Sequence, residues 1–148
     1  MKRVLAAICA LPLLGAVLSA HIMVSPPQSK AGATQAYELR VHNEGKQATT
    51  SLELQIPSDV TVLKVDTPAT GKVDTPKSGD RITAIVWTVN VEPTKYVALK
   101  FEAKNPSTAK DVTWVVRQHL ADGSVIEWSD KPGAKEKASV TTIAAATN

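Results

Sequence analysis

The side chains of this sequence that are best suited to metal chemistry are its histidines, His21, His42 and His119. The first of them follows a stretch that is typical of an export signal. Cleavage between Ala20 and His21 would make His21 the first residue, and one residue would then offer both a free α-amine and an imidazole. These two nitrogens can chelate one ion once the amine, whose pKa is ordinarily about 8, has lost its proton. Two nitrogens with a carboxylate oxygen suit Cu(II), which also stands highest in the affinity order of divalent metals.

The first 20 residues have the composition of a secretory signal. Two basic residues at 2–3 precede an apolar stretch over 4–18, and small residues follow at 19–20. This apolar stretch is shorter than the roughly 20 residues of a membrane-spanning helix. A cut after residue 20 leaves Leu18 where a small residue is preferred, and a cut one residue earlier is the alternative. We therefore expect a periplasmic or secreted protein that has no membrane anchor after signal removal.

Composition narrows the classes of function for the exported chain. Without the first 20 of its 148 residues the chain has 128, which suits one domain. Its formal net charge is then +1 rather than +3, because the signal carries two basic residues and no acidic one. This balance argues against an electrostatic nucleic-acid binder. The single cysteine, Cys9, lies in the signal, so we expect no disulfide, thiolate metal site or cysteine nucleophile.

The remaining sequence consists of short segments with the period-2 alternation of β-strands, separated by turn residues. We predict about eight strands, at 37–42, 51–56, 60–65, 82–89, 96–103, 112–120, 125–128 and 140–143. The third of these has a spacing that indicates a bulge, and Asp122-Gly123 predicts a hairpin. This pattern favours an all-β, antiparallel β-sandwich of the immunoglobulin or cupredoxin type. The domain is expected to span 21–143, followed by a flexible tail at 144–148.

Motifs of the common catalytic classes do not occur in this sequence. There is no Gly-x-Ser-x-Gly elbow, no glycine-rich phosphate loop and no His-x-x-x-His pair. Carboxylates are numerous, but nothing in a strand-rich chain brings a particular pair together. His21 is therefore the strongest candidate for chemistry, and the alternative is that it is simply the first residue of an exported chain.

Several stretches, in order, resemble the YcnI-like copper-binding domain family. The sequence His-Ile-Met-Val-Ser-Pro at 21–26 resembles the start of the mature family domain. Tyr-x-x-Arg-Val-x-Asn-Glu at 37–44 resembles one of its strands, and further similar stretches lie at 50–57, 82–87 and 118–128. The similarity spans nearly all of the sequence after the signal. It implies an exported all-β protein that binds one Cu(II) ion per chain.

The resemblance also implies a site, which is a histidine brace with a single histidine. By position, the metal ligands are the amine and imidazole of His21 and the carboxylate of Glu44, and Trp128 is the indole beside the ion. This sequence departs from the family at His42, where proline is common. On an extended strand His42 and Glu44 share a face, so His42 is an additional candidate ligand. The alternatives are a solvated turn glutamate, a core tryptophan and an exposed strand histidine.

The function implied by the resemblance is copper trafficking or homeostasis without enzymatic activity. The partner would be another exported or membrane copper-handling protein. Two alternatives stay open. One is a copper redox enzyme, although the usual enzymatic brace has a second imidazole. The other is a metal-free sandwich that binds a partner, because a fold does not fix a function.

Overall fold

The computed structural model describes residues 21–147. All elements of regular secondary structure in these residues are β-strands. The predicted signal, its cleavage site and Asn148 lie outside the described residues. In residues 21–147 there is no helix long and apolar enough to cross a membrane. The strands are β1 (His21–Ser25), β2 (Gln28–Lys30), β3 (Thr34–His42), β4 (Thr49–Gln55), β5 (Thr61–Val65), β6 (Lys72–Asp74), β7 (Lys77–Ser78), β8 (Arg81–Ile82), β9 (Ala84–Val91), β10 (Tyr96–Lys104), β11 (Lys110–Trp114), β12 (Val116–Leu120), β13 (Val125–Trp128) and β14 (Ser139–Ala144).

Two large sheets share one apolar core and form the predicted sandwich. Sheet I has the strand order β1-β3-β10-β5, and sheet II has the order β13-β12-β4-β9-β6. A three-stranded sheet, β11-β14-β2, and the hairpin β7-β8 complete the fold. The pairing is antiparallel as predicted, except that β14 and β2 run parallel.

An aromatic cluster fills the core between the sheets. Tyr37 stacks on Phe101 with ring centroids 5.4 Å apart, and Trp114 meets both rings edge-on, at 5.3 and 5.8 Å. Edge-to-face and offset pairs of this kind add to the free energy gained by burying the rings. The Tyr37 hydroxyl donates a hydrogen bond of 2.6 Å to Asn105 Oδ1. Burial raises the pKa of Tyr37 above its usual value, so the hydroxyl keeps the proton that it donates.

All eight predicted segments form strands, but the predicted number of strands was too low, since the described residues contain 14. The segments 82–89 and 112–120 are each divided, and β1, β2, β6 and β7 were not predicted. The second division has a clear cause: β11 pairs with β14, whereas β12 pairs with β4 and β13 in sheet II. The chain changes sheets at Val115, while its alternation of apolar residues continues.

Smaller predictions about the strands can be compared with the structure in the same way. The register between β5 and β10 shifts at Glu102/Ala103, which confirms the bulge. The hairpin at Asp122-Gly123 is also confirmed, with Gly123 at a φ of 85°. The last strand, β14, includes Ala144, one residue beyond the predicted domain end. The flexible tail stays a prediction.

Gly71 controls how closely the chain before β6 approaches β9. Its φ is 129°, a conformation that favours glycine. A Cβ at this position would clash with the carbonyl oxygen of Thr88. Gly79 also has a positive φ, of 60°, but a Cβ there would meet no atom within 4 Å.

We predict that Gly71→Ala lowers the free energy of unfolding by roughly 2–4 kcal/mol, because the methyl group adds overpacking to backbone strain. Gly79→Ala is the matched control and should cost only about 1 kcal/mol, from the strain alone. Urea denaturation of both variants measures the difference. Equal losses would contradict the close approach at Gly71.

Candidate metal centre

The antiparallel pairing of β1 with β3 places the first described residue beside a second histidine. In this register His21 lies opposite His42. On β1, Ile22 and Val24 are buried, so the alternating residues His21 and Met23 face outward. His21 and His42 are therefore neighbours on the outer face of sheet I. β3 ends at His42, so Glu44 lies in the loop that follows and does not share an extended strand with His42.

The loop after β3 is fixed by Asn43, which is fully buried. Its side-chain amide donates hydrogen bonds of 2.8 Å to the carbonyl oxygens of Gln47 and Val91. Its Oδ1 accepts a hydrogen bond of 3.0 Å from the Gly45 N–H. Such an Asx turn holds the backbone on both sides of Glu44. Asn43 was not among the predicted site residues, and the spacing Asn-x-Gly is the signal that indicates its role.

Glu44 lies within hydrogen-bonding or ion-pair distance of both histidines. Its Oε1 lies 2.9 Å from His21 Nδ1 and 3.4 Å from His42 Nδ1. Nδ1 is also the ring nitrogen that would close a six-membered chelate with the amine of the same residue. The site is open on the His21 side, because that side chain is 75% exposed while Glu44 is only 24% exposed. The predicted ligands His21 and Glu44, and the additional candidate His42, thus come together.

The second carboxylate oxygen of Glu44 has an unusual environment. Oε2 is buried and has no hydrogen-bond partner among the described residues. A buried charged oxygen without a partner is costly. A cation bound beside Nδ1 of His21 would give this carboxylate a counter-charge. Nitrogen and oxygen donors of these types suit a divalent ion such as Cu(II), so the residues present fit the proposed metal.

The arginine of β3, Arg40, has a carboxylate partner other than Glu44. Arg40 lies on the outer face of β3, and its Nε donates a hydrogen bond of 2.8 Å to Glu38 Oε1. This hydrogen bond and the charge of Glu38 raise the pKa of Arg40 above its usual value. The ion pairs described for Glu44 are with the two imidazoles alone.

Side chains alone do not complete a metal site in the described residues. In this part of the chain no group of three or more histidine, cysteine, aspartate or glutamate side chains is arranged to hold an ion. His21, His42 and Glu44 are joined through one carboxylate oxygen instead of surrounding a common point. The donor that a brace adds is the main-chain amine of His21, which is free only when His21 is the first residue.

Trp128 belongs to the other sheet. It lies on β13 at the edge of sheet II and is 5% exposed. Its indole N–H donates a hydrogen bond of 3.1 Å to Gln118 Oε1, and the Gln118 amide donates one of 2.8 Å to Thr49 Oγ1. These contacts tie β13, β12 and β4 together. The role of Trp128 beside an ion stays a prediction.

Comparison with known proteins connects this geometry to a family. The family model described as "Domain of unknown function (DUF1775)" matches residues 21–147. "Copper-binding protein CutI" of Bacillus subtilis (strain 168) is 31% identical over 131 residues, covering 86% of this chain. The chain spans 64% of the length of that curated relative.

Solved structures resemble the fold at lower sequence identity. An uncharacterized protein from Nocardia farcinica, described as having an immunoglobulin-like fold, is 20% identical with a TM-score of 0.73. That match covers 84% of this chain and 98% of the other. The seventh ScaB type I cohesin from Pseudobacteroides cellulosolvens is 14% identical with a TM-score of 0.52, covering 88% and 95%. These likenesses confirm the predicted all-β, immunoglobulin-like sandwich.

Proposed function

Because the chain belongs to the DUF1775 family, we propose that it is an exported copper-binding protein that holds one Cu(II) at His21. The family resemblance drawn from the sequence is confirmed by this membership and by the relative named a copper-binding protein. One observation carries the proposal: Glu44 Oε1 lies 2.9 Å from His21 Nδ1, while Glu44 Oε2 is buried without a partner.

Each residue of the site has a distinct task in this proposal. His21 chelates the ion through its amine and Nδ1, and both must be free of protons to bind. The Glu44 carboxylate supplies negative charge at a half-buried position, where charge interactions are stronger than in water. His42, whose Nδ1 lies 3.4 Å from the same carboxylate oxygen, is the additional nitrogen ligand.

The exposure of His21 supports exchange of the ion rather than permanent storage. A ligand that is three-quarters exposed leaves one side of the ion open to a second protein. We therefore propose a role in copper trafficking or homeostasis, with another exported or membrane copper-handling protein as partner. The same proposal requires a periplasmic or secreted location and a cut before His21.

The first prediction concerns the amine. A chain that begins at His21 should bind one equivalent of Cu(II) at pH 6. The same chain with its amine acetylated should bind at least about tenfold more weakly, a difference of about 1.4 kcal/mol. Acetylation turns the amine into an amide, which has no free lone pair for the metal, so the chelate within His21 is lost. Competitive calorimetry with glycine measures both affinities, and mass spectrometry verifies each N-terminus.

Two results would contradict the brace. Equal affinities for the two chains would show that the amine of His21 is not a ligand. No Cu(II) site at all in protein with a verified His21 terminus would favour the metal-free, partner-binding sandwich.

The second prediction concerns the carboxylate. Glu44→Gln keeps the shape of the side chain but removes its charge, and it should weaken Cu(II) binding by roughly 10–100-fold. Glu102→Gln is the matched control, because it makes the same charge change on β10, where Glu102 pairs with Ala36. The control should bind as the unaltered chain does. Unchanged affinity in Glu44→Gln, or an equal loss in both variants, would remove Glu44 from the site.

A copper redox enzyme is the second candidate function. The observation that favours it is His42, which brings a second imidazole to the outer face beside His21. We propose binding in preference, since the relative is named for copper binding. Copper-loaded protein with ascorbate should therefore consume oxygen at the same rate with and without a polysaccharide. Faster oxygen consumption with the polysaccharide, recorded by an oxygen electrode, would favour the copper redox enzyme over the copper-binding protein.

A further inference from the structure

Met23 is a soft metal ligand in an exposed position beside the candidate site. It is the one methionine in residues 21–147. Its neighbours on β1, Ile22 and Val24, are buried in the core, whereas Met23 is 53% exposed. It therefore contributes little to the core and faces outward on the same side of β1 as His21.

The strand register puts Met23 next to both imidazoles. Met23 follows His21 by two residues on one face and lies opposite Arg40 on β3. His42, two residues after Arg40, is its diagonal neighbour across the pair. Diagonal positions on one face of a sheet are within reach of long side chains. A methionine side chain also has three rotatable bonds, so it adapts to a neighbouring ligand.

The surroundings of Met23 leave room for this contact. Met23 and Val140 line a groove beside β1 together with the basic residues Arg40 and Lys137, so the thioether is not enclosed by core atoms. The cation opposite it, Arg40, is hydrogen-bonded to Glu38 at 2.8 Å. The guanidinium of Arg40 therefore has a carboxylate partner of its own beside the groove.

We propose that Met23, His42 and His21 form a ligand set for Cu(I) on the outer face of sheet I. A thioether is a soft ligand that selects Cu(I), and imidazole binds copper in general. Glu44 and the amine are harder donors that suit Cu(II). The protein then also binds Cu(I), whether the ion arrives in that state or an external reductant has formed it from Cu(II). This inference deepens the proposed function but needs neither the amine nor the carboxylate.

The test compares Cu(I) and Cu(II) affinities in the chain that begins at His21. Competition with bicinchoninate under anaerobic conditions measures Cu(I), and calorimetry measures Cu(II). Met23→Leu preserves the apolar volume and should weaken Cu(I) binding by at least about tenfold, while the Cu(II) affinity stays within about twofold. In the Cu(I)-loaded unaltered chain, X-ray absorption should show copper–sulfur scattering that Met23→Leu lacks.

A second variant moves the thioether instead of removing it. Leu63 has the same exposure as Met23, 53%, and lies on β5 at the opposite edge of sheet I. The double variant Met23→Leu/Leu63→Met should bind Cu(I) as weakly as Met23→Leu, because the moved thioether has no imidazole beside it. Restored Cu(I) affinity in the double variant would overturn the proposal.

The remaining outcomes separate this inference from the proposed function. An unchanged Cu(I) affinity in Met23→Leu, or an equal loss of both ions, would overturn the Cu(I) ligand set. The chain whose His21 amine is acetylated should keep its Cu(I) affinity even where Cu(II) binding falls. Cu(I) binding that depends on Met23 in a protein without a Cu(II) site would support this inference while the proposed function fails.

Discussion

The candidate site depends on the register between β1 and β3. Five residue pairs, from His21↔His42 to Ser25↔Glu38, join the two strands. Burial of Ile22 and Val24 fixes that register, because a slip of one residue would turn every side chain of β1 to the other face. The opposite edge of β1 is held as well, since the Val24 N–H donates a hydrogen bond of 2.9 Å to Ser139 Oγ. The exposed residue His21 is thus positioned by its buried neighbours on β1, Ile22 and Val24.

The second constraint is electrostatic. Glu44 is held by a loop that Asn43 fastens to the core, and one of its oxygens is buried without a partner. Its ion-pair contacts are with two imidazoles, whose charge depends on protonation, and the nearest arginine on the same face, Arg40, is engaged by Glu38. The carboxylate therefore keeps its capacity to balance a bound cation. Glu44 thus supplies a partly buried acidic group on one side of the site, and the exposed His21 lies on the other side.

Long alternating strands could be predicted from the sequence because each buries every second residue, as β4 and β10 do. β1 and β2 were not predicted, because β2 has only three residues and both strands are defined by partners later in the chain, β3 and β14. The division at Val115 was missed because the alternation continues while the partners change. Within the site, the resemblance supplied Glu44 and the strand period supplied His42. Met23 was not among the predicted candidates, although its spacing from His21 follows the same period.

In the proposed site, His21 and Glu44 bind one copper ion together. The most direct measurement is anomalous diffraction at the copper absorption edge, from crystals of Cu(II)-loaded chain whose first residue is His21. We expect one anomalous peak, in contact with the His21 amine, His21 Nδ1 and the Glu44 carboxylate. A copper peak elsewhere on the protein, or one that touches His21 but not Glu44, would contradict the proposed site.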